Sequence, residues 1–376
     1  MQQAGKVSSL LKIIIFALTF LIYQPLANAA KEESFNVGEM IMHHINDAHE
    51  WHIAGPEHGG ISLYLPVILL DNGLKTFSSK YFYHGKKREV VSKDGTAVHY
   101  MEGVGPAKGY ALFHEEIYKL EKTDNSKGQS VYILKFHGEH PENSTTLDFS
   151  ITKNVASLFI GALLIIILML GMARVYRKNG AVAPSGIAKF LEPLIVVIRD
   201  DIAQENIGHG KHHKYVPYLL TIFFFIWINN LLGLVPIFPG GANLTGNITI
   251  TFFLALCTLL LTLFSSNKNY WKHIFATPGV PIALMPIMIP IEIVGIFTKP
   301  FALMIRLFAN ISAGHIIILA LISIIFINKH IAWGALSVPM ALFISCLEML
   351  VAVLQAYLFA LLSALFIGAA VEEAHH

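Results

Sequence analysis

Two long apolar runs carry a few groups that do not belong in hydrocarbon. Met304-Ile305-Arg306-Leu307-Phe308-Ala309-Asn310-Ile311-Ser312-Ala313-Gly314-His315 puts an arginine, an asparagine and a histidine in the first, and Glu348 and Gln355 interrupt the second. A charged side chain at mid-bilayer costs roughly 2.5–3.5 kcal/mol on insertion scales, so such residues mark ion pathways, proton relays or counter-ions. An imidazole and a carboxylate can hand a proton on, whereas a guanidinium stays protonated and acts as a fixed positive charge. Apolar sequence on both sides of Arg306 argues against a side chain that merely snorkels to an interface.

Helical geometry sorts these groups. Glu292, Lys299 and Arg306 recur at intervals of seven and fall on one slowly drifting stripe; Asn310 stays on that side and His315 faces roughly the opposite way. Glu348 and Gln355 repeat the interval and share a face of the last run. With the first run crossing outward and the last returning, His315 and Glu348 lie at similar depth on the outer side. Gln355 then comes to the level of Arg306, and Glu292 marks an inner route. The pattern describes two polar half-paths with a permanent positive charge between them. Pairing among these groups, Glu292 with Lys299 above all, to hold the bundle together is the structural alternative.

The remaining sequence supplies the elements that position them. Residues 1–29 have the build of a signal peptide: Lys6 and Lys12, an apolar centre from Ile13 to Ile22, then Ala27-Asn28-Ala29. Residues 30–150 predict a small β-rich periplasmic extension. Its strands are expected over Ser62–Leu70, Val131–Phe136 and Thr146–Ile151, with turns at Asp71-Asn72-Gly73 and Lys93-Asp94-Gly95. A helix over Val37–Trp51 carries His43, His44, His49 and His52, with His58 soon after. No cysteine accompanies them and His43 and His44 point in different directions, so a solvated histidine-rich face is expected rather than a zinc site.

Residues 151–376 change solvent. Apolar spans are expected over Val155–Ala173, Tyr215–Phe238, Asn247–Phe264, Ile289–Ile327 and Ala332–Ala370. Arg174, Arg177 and Lys178, and later Lys268, Lys272 and His273, place their helix ends in the cytoplasm by the positive-inside rule. Pro184–Gln204 alternates apolar and charged residues at helical spacing, as an interfacial amphipathic helix does. Prolines 278, 281, 286, 290 and 300 predict a bent or tilted helix. The run from Ile289 would extend about 58 Å against a hydrocarbon core of about 30 Å, so it breaks in two or lies strongly oblique. The expected fold class is therefore an all-α polytopic membrane protein with a small β-rich periplasmic N-terminal domain. It has about five transmembrane helices plus one interfacial amphipathic helix, the last two spans being long and tilted.

Composition agrees: 54% of residues are hydrophobic and 14% charged, against about a quarter charged in soluble domains. A net charge of +2 gives no reason to expect a nucleic-acid partner. Cys257 and Cys346 lie in apolar runs and read as small buried residues, not a disulfide.

Arg306-Leu307-Phe308-Ala309-Asn310 through Ala313-Gly314-His315, with Leu354-Gln355-Ala356-Tyr357 downstream, resembles subunit a of the F-type ATP synthase. Asn230-Leu231-Leu232-Gly233-Leu234-Val235-Pro236, Asn247, and Glu292 with Lys299-Pro300 support the resemblance, which covers roughly residues 150 to 372 and leaves the extension aside. It implies a proton-translocating stator subunit of the bacterial inner membrane, with no catalytic site, metal or cofactor of its own. The implied partners are a ring of c subunits, peripheral-stalk b subunits, the remainder of the complex and the lipid bilayer. Arg306 would face the ring and separate two half-channels. Asn310 and Gln355 would flank it, Glu292 would serve the cytoplasmic half-channel, and His315 with Glu348 the outer one. Asn247, Lys299, Asn230 and Ser312 would support them. Many bacterial members have glutamate where this chain has His315 and histidine where it has Glu348; the order here resembles the mitochondrial type. Ala309 and Ser312 also depart from common bacterial choices without touching the proton chemistry. A stand-alone ion channel or secondary transporter remains as a rival, although no convincing inverted repeat accompanies it. A membrane-anchored metal-binding protein would leave the polar stripes unexplained.

Overall fold

The computed structural model describes residues 37–54, 60–91, 97–124, 130–138, 140–180, 186–235, 238–276 and 281–372. The expected signal peptide, His58, the turn at Lys93-Asp94-Gly95 and the last four residues lie outside the described residues.

The extension opens with α1 (Val37–Ile45) and continues as short antiparallel strands. β1 (Glu50–Ala54) pairs with β2 (Ile61–Tyr64), and β3 (Pro66–Leu70) lies between β4 (Leu74–Ser78) and β13 (Leu147–Asp148). A one-turn helix α2 (Lys80–Tyr83) leads into the meander β5 (Lys86–Val91), β6 (Ala97–Glu102), β7 (Tyr110–Phe113) and β8 (Glu116–Lys119). Two hairpins follow, β9 (Glu121–Asp124) with β10 (Ser130–Ile133) and β11 (Phe136–His137) with β12 (His140–Pro141). Val67, Leu69, Phe82, Ala107, Tyr110, Leu112 and Ile117 form one core cluster, because alternate strand residues turn to one side of the sheets. Asn72 and Gly73 take positive φ and close the β3–β4 hairpin, as the turn signal predicts.

Three expectations fail in this region. The strand expected over Val131–Phe136 is split between β10 and β11, with Leu134 and Lys135 outside both. The run Ser62–Leu70 is two strands, not one: Leu65 receives a bond from Ser79 N and gives one to His49 O, handing the chain from the first sheet to the second. The helix expected over Val37–Trp51 stops at Ile45, and Trp51 sits in β1.

Among the described residues five helices are long and apolar enough to cross a membrane: α3 (Lys153–Asn179), α6 (Val216–Leu234), α7 (Ile248–Ser265), α9 (Met285–Ile327) and α10 (Gly334–Val371, within the span Ile331–Val371). Between them lie α4 (Ile187–Val197), α5 (Glu205–Ile207) and α8 (Lys268–Phe275). α3 starts where the Thr152 hydroxyl accepts from Val155 N, and α7 where the Asn247 side-chain Oδ1 accepts from Thr249 N.

α9 does not break. Its 43 residues run through Pro290 and Pro300 as one helix, about 64 Å long, which a bilayer of about 30 Å accommodates only at a steep tilt. The segment expected to lie along the interface is more deeply set than that. α4 exposes Ile187 and Phe190, but it continues through a π-helical turn (Ile198–Gln204) that buries Ile198, Ile202 and Ala203 against α6 and α10. Cys257 is half-buried and Cys346 exposed, both free thiols, so neither is the buried residue expected.

α6 packs on α10 and α3, with Leu219, Phe223, Phe224 and Ile226 buried in the core cluster. α10 answers with Ala352, Ala356, Ala360 and Ala364, one helical turn apart and fully buried. Small side chains at that interval let helix backbones approach closely, which is how helices associate where no hydrophobic effect drives them together.

Candidate functional site

α9 is buried along Leu303, Met304, Leu307 and Ile311, so the residues one position further round face out. Phe301, Ala302, Ile305, Arg306, Ala309, Asn310 and Ala313 form that exposed, mostly apolar face. Arg306 makes no ion pair or hydrogen bond among the described residues. A guanidinium set in an apolar strip has no counter-charge of its own and is shaped to meet one on another molecule.

His315 turns the other way, into the bundle. Its Nδ1 lies 2.6 Å from Glu348 Oε1 on α10. Glu348 is 4% exposed, and its Oε2 finds no hydrogen-bond partner among the described residues. The approach depends on Gly314: a Cβ there would stand 2.7 Å from both Cδ and Oε1 of Glu348.

A band of polar groups leads toward this pair. The Thr245 hydroxyl donates to Asn230 Oδ1, and the Ser312 hydroxyl donates to Gly246 O at 3.4 Å. Asn229, Asn230, Asn243, Thr245 and Ser312 are all buried, and Asn230 Nδ2 and Asn243 Nδ2 lack partners among the described residues. Buried polar atoms without protein partners are where water is expected, given room. Asn243 and Thr245 escaped sequence reading because they sit in a loop, where no periodicity reports which side a residue faces. Asn247, expected on the path, caps α7 with its side chain.

The other polar groups divide along the bundle. Glu292 lies near the start of α9, where its charge is felt by Tyr270 of α8; burial, and then that charge, push the Tyr270 phenol up. α8 and the loop at residues 238–247 lie at opposite ends of α7, so Glu292 and the His315–Glu348 pair approach Arg306 from opposite ends. Lys299 is exposed and makes no ion pair with Glu292. Gln355 is buried one helical face from the alanine row, and no hydrogen bond joins it to Arg306.

His49 is not the solvated imidazole expected of it, and His52 is half-buried. His49 is 2% exposed, with Nε2 3.0 Å from Asp148 Oδ2 and Nδ1 3.9 Å from Glu115 Oε2. His52 Nδ1 lies 3.1 Å from the Ser62 hydroxyl. The side chains of His43 and His44 lie outside the described residues. No group of three or more His, Cys, Asp or Glu side chains among the described residues could hold a metal ion.

A family model described as the ATP synthase A chain matches residues 155–368, which is more than half of the chain. The chain belongs to the ATP synthase A chain family. A second model, a domain of unknown function, matches residues 40–149. The chain is 50% identical over 230 residues to "ATP synthase subunit a 2" of Chlorobaculum tepidum, covering 59% of this chain and 64% of that protein. It is 48% identical over 244 residues to the protein of the same name from Chlorobium luteolum, covering 61% and 70%. With "ATP synthase subunit a" of Myxococcus xanthus it shares 45% identity over 236 residues, covering 61% and 76%. Family membership and five apolar helices together make this a multi-pass membrane protein.

Proposed function

We propose that this chain is the non-catalytic, proton-translocating stator subunit of the membrane sector of an F-type ATP synthase. It would work in a bacterial inner membrane, with residues 1–29 as a signal peptide, 30–150 as a periplasmic extension and 151–376 as the membrane domain ending in the cytoplasm. The observation that carries the reading is the placement of Arg306. It is exposed on an apolar face without a counter-charge among the described residues, and His315, bonded to the buried Glu348 of α10, lies on the other side of the same helix.

The chemistry follows from those positions. A proton enters from the periplasm along Asn230, Thr245 and Ser312 and is handed through Glu348 and His315. It neutralises a carboxylate on the partner ring that was held by Arg306, and the neutral site can then move into lipid. Arg306, which cannot give up its own proton, blocks a straight leak and receives the next ionised carboxylate. Asn310 and Gln355 flank that exchange. The site unloads past Glu292 to the cytoplasm, with Lys299 at its edge. Each proton falling through 100 mV releases about 2.3 kcal/mol, so several must pass for each ATP formed elsewhere in the complex. The partners are the c-ring, the peripheral-stalk b subunits and the rest of the complex.

The test is Arg306→Ala, assayed for ATP-driven proton pumping in inverted membranes alongside the amount of assembled complex. Normal assembly with pumping abolished is expected. Normal pumping by a fully assembled Arg306→Ala complex would overturn the assignment.

A further inference from the structure

The extension is held against the membrane domain by a short strap, residues 46–51, through Asp47 and Trp51, while His49 between them ties the strap to the extension itself. The Asp47 carboxylate accepts from Asn154 N at 2.9 Å and from the Thr152 hydroxyl at 2.8 Å, supplementing the cap of α3. His49 is bound to Asp148. Trp51, 3% exposed, donates its indole N–H to Gly240 O at 3.1 Å, and its ring meets Phe238 edge-on with centroids 5.1 Å apart. This last contact joins residues 189 apart in sequence. It falls on the loop between α6 and α7.

That loop forms the wall beside His315. Gly241 N donates back to Leu232 O, so the loop folds over the end of α6. The Ala242 carbonyl oxygen lies 2.9 Å from where a Cβ of Gly233 would be, and His315 Nε2 lies 3.8 Å from the same point. Three residues on, Thr245 binds Asn230, and Gly246 O receives Ser312. Trp51 and the surroundings of His315 thus meet the same loop, Trp51 at Gly240 and Ser312, three residues before His315, at Gly246. α1, just ahead of the strap, also packs on α9.

We propose that Trp51 is a positioning residue for the outer proton path: the extension uses its indole to pin the loop at residues 238–246 in the conformation that walls His315. The inference rests on the proton-path reading above. The extension is then part of the entry route, a collar whose removal loosens the wall without touching Arg306, His315 or Glu348. A fixed wall holds the water and hydroxyl groups that hand protons to the pair, and positioning of this kind sets rate. Trp51 touches no translocated proton itself.

The experiment uses the complete ATP synthase in inverted membrane vesicles, with Trp51→Phe and Trp51→Ala. Phenylalanine keeps an aromatic ring beside Phe238 but removes the N–H donor and part of the indole's volume. Trp51→Phe is expected to assemble at the parental level and to slow proton conduction through vesicles stripped of the catalytic sector. One hydrogen bond to the loop corresponds to roughly a threefold to tenfold change in how often it is seated, and conduction should fall by a comparable factor. The midpoint of conduction against lumenal pH, the outer side, should move, while the dependence on external pH stays put. Backbone amides at 241, 244 and 246 should exchange hydrogen faster in the purified complex. Parental conduction and midpoint in assembled Trp51→Phe would overturn the proposal, as would a loss of assembled complex with conduction per complex unchanged. If Trp51→Ala does not assemble, Trp51→Phe still decides. His315→Ala in the same vesicles separates the two readings: normal conduction there sinks the proton path itself, whereas a block there with parental Trp51→Phe sinks only the role given to Trp51.

Discussion

His315 Nδ1 and Glu348 Oε1 stand 2.6 Å apart across α9 and α10, with the other carboxylate oxygen buried and without a partner among the described residues. One acid and one base in that geometry act as a unit, so their substitutions should not add. We expect His315→Ala and Glu348→Gln each to reduce ATP-driven proton pumping by about tenfold or more, a loss in the range general acid–base groups supply. The double variant should be little worse than either single. His43→Ala, in the extension, should leave pumping near the parental rate. Multiplicative losses in the double variant would mean that the two groups serve separate steps.

Gly314 makes the pair possible by having no side chain. A Cβ at 2.7 Å from Glu348 Cδ and Oε1 is closer than real atoms come, and Glu348 has little freedom to retreat because it is buried and bound to His315. Gly314→Ala is therefore expected to separate carboxylate from imidazole. Pumping should drop toward that of His315→Ala while the amount of assembled complex stays within about twofold, since one methyl costs about 1–3 kcal/mol of overpacking at most sites. Assembly and pumping both at parental levels would show that the carboxylate has another place to go.

Much of the membrane region was legible because apolar runs and basic ends state their own lengths, and because helical spacing already separated Arg306 from His315. What periodicity could not reveal was which of two equal possibilities packing selects. α9 continues through Pro290 and Pro300 instead of breaking, and no periodicity in the sequence decides between the two. His49 looked like one of several solvated imidazoles; its partner Asp148 is 99 residues away, and nothing local announces it. The contact of Trp51 with Gly240 and the bond of Thr245 to Asn230 are of the same kind. Loops and short strands meet through contacts that leave no repeat in the sequence.

The alanine row on α10 yields a packing prediction. Ala360 is fully buried where α10 meets α6, in one cluster with Leu219, Phe223 and Ile367. Leucine at that site has no space, and forcing it in costs about 1–3 kcal/mol or more. Ala360→Leu should lower the amount of chain recovered in the assembled complex, whereas Ala360→Gly should be tolerated at a cost of about 1 kcal/mol in helix propensity. Quantitative blotting of purified complex distinguishes them. Full recovery of Ala360→Leu would mean that the two helices are further apart than their contacts indicate.

The buried ion pair of the extension gives it a pH signature. Burial alone would lower the His49 imidazole, but hydrogen bonds and charge from Asp148 and Glu115 outweigh it and hold its pKa up at about 9. The same contact, with Ser150, holds Asp148 below its ordinary value despite burial. For a raised histidine the folded state binds the proton more tightly than the unfolded one. Its contribution is therefore complete below the unfolded value of about 6.5 and is lost as pH rises through about 9. For Asp148 the contribution is present above the ordinary carboxylate range and is lost on acidification below it. Resistance of the extension to proteolysis in the intact complex should thus be flat between about pH 5 and pH 6 and fall between about pH 6.5 and pH 9. The full loss is on the order of 3 kcal/mol. His49→Gln should be less resistant at pH 6 and should lack the alkaline slope, because a glutamine carries no proton to lose. An alkaline slope of equal size in His49→Gln would assign the transition to some other group and remove His49 from the account.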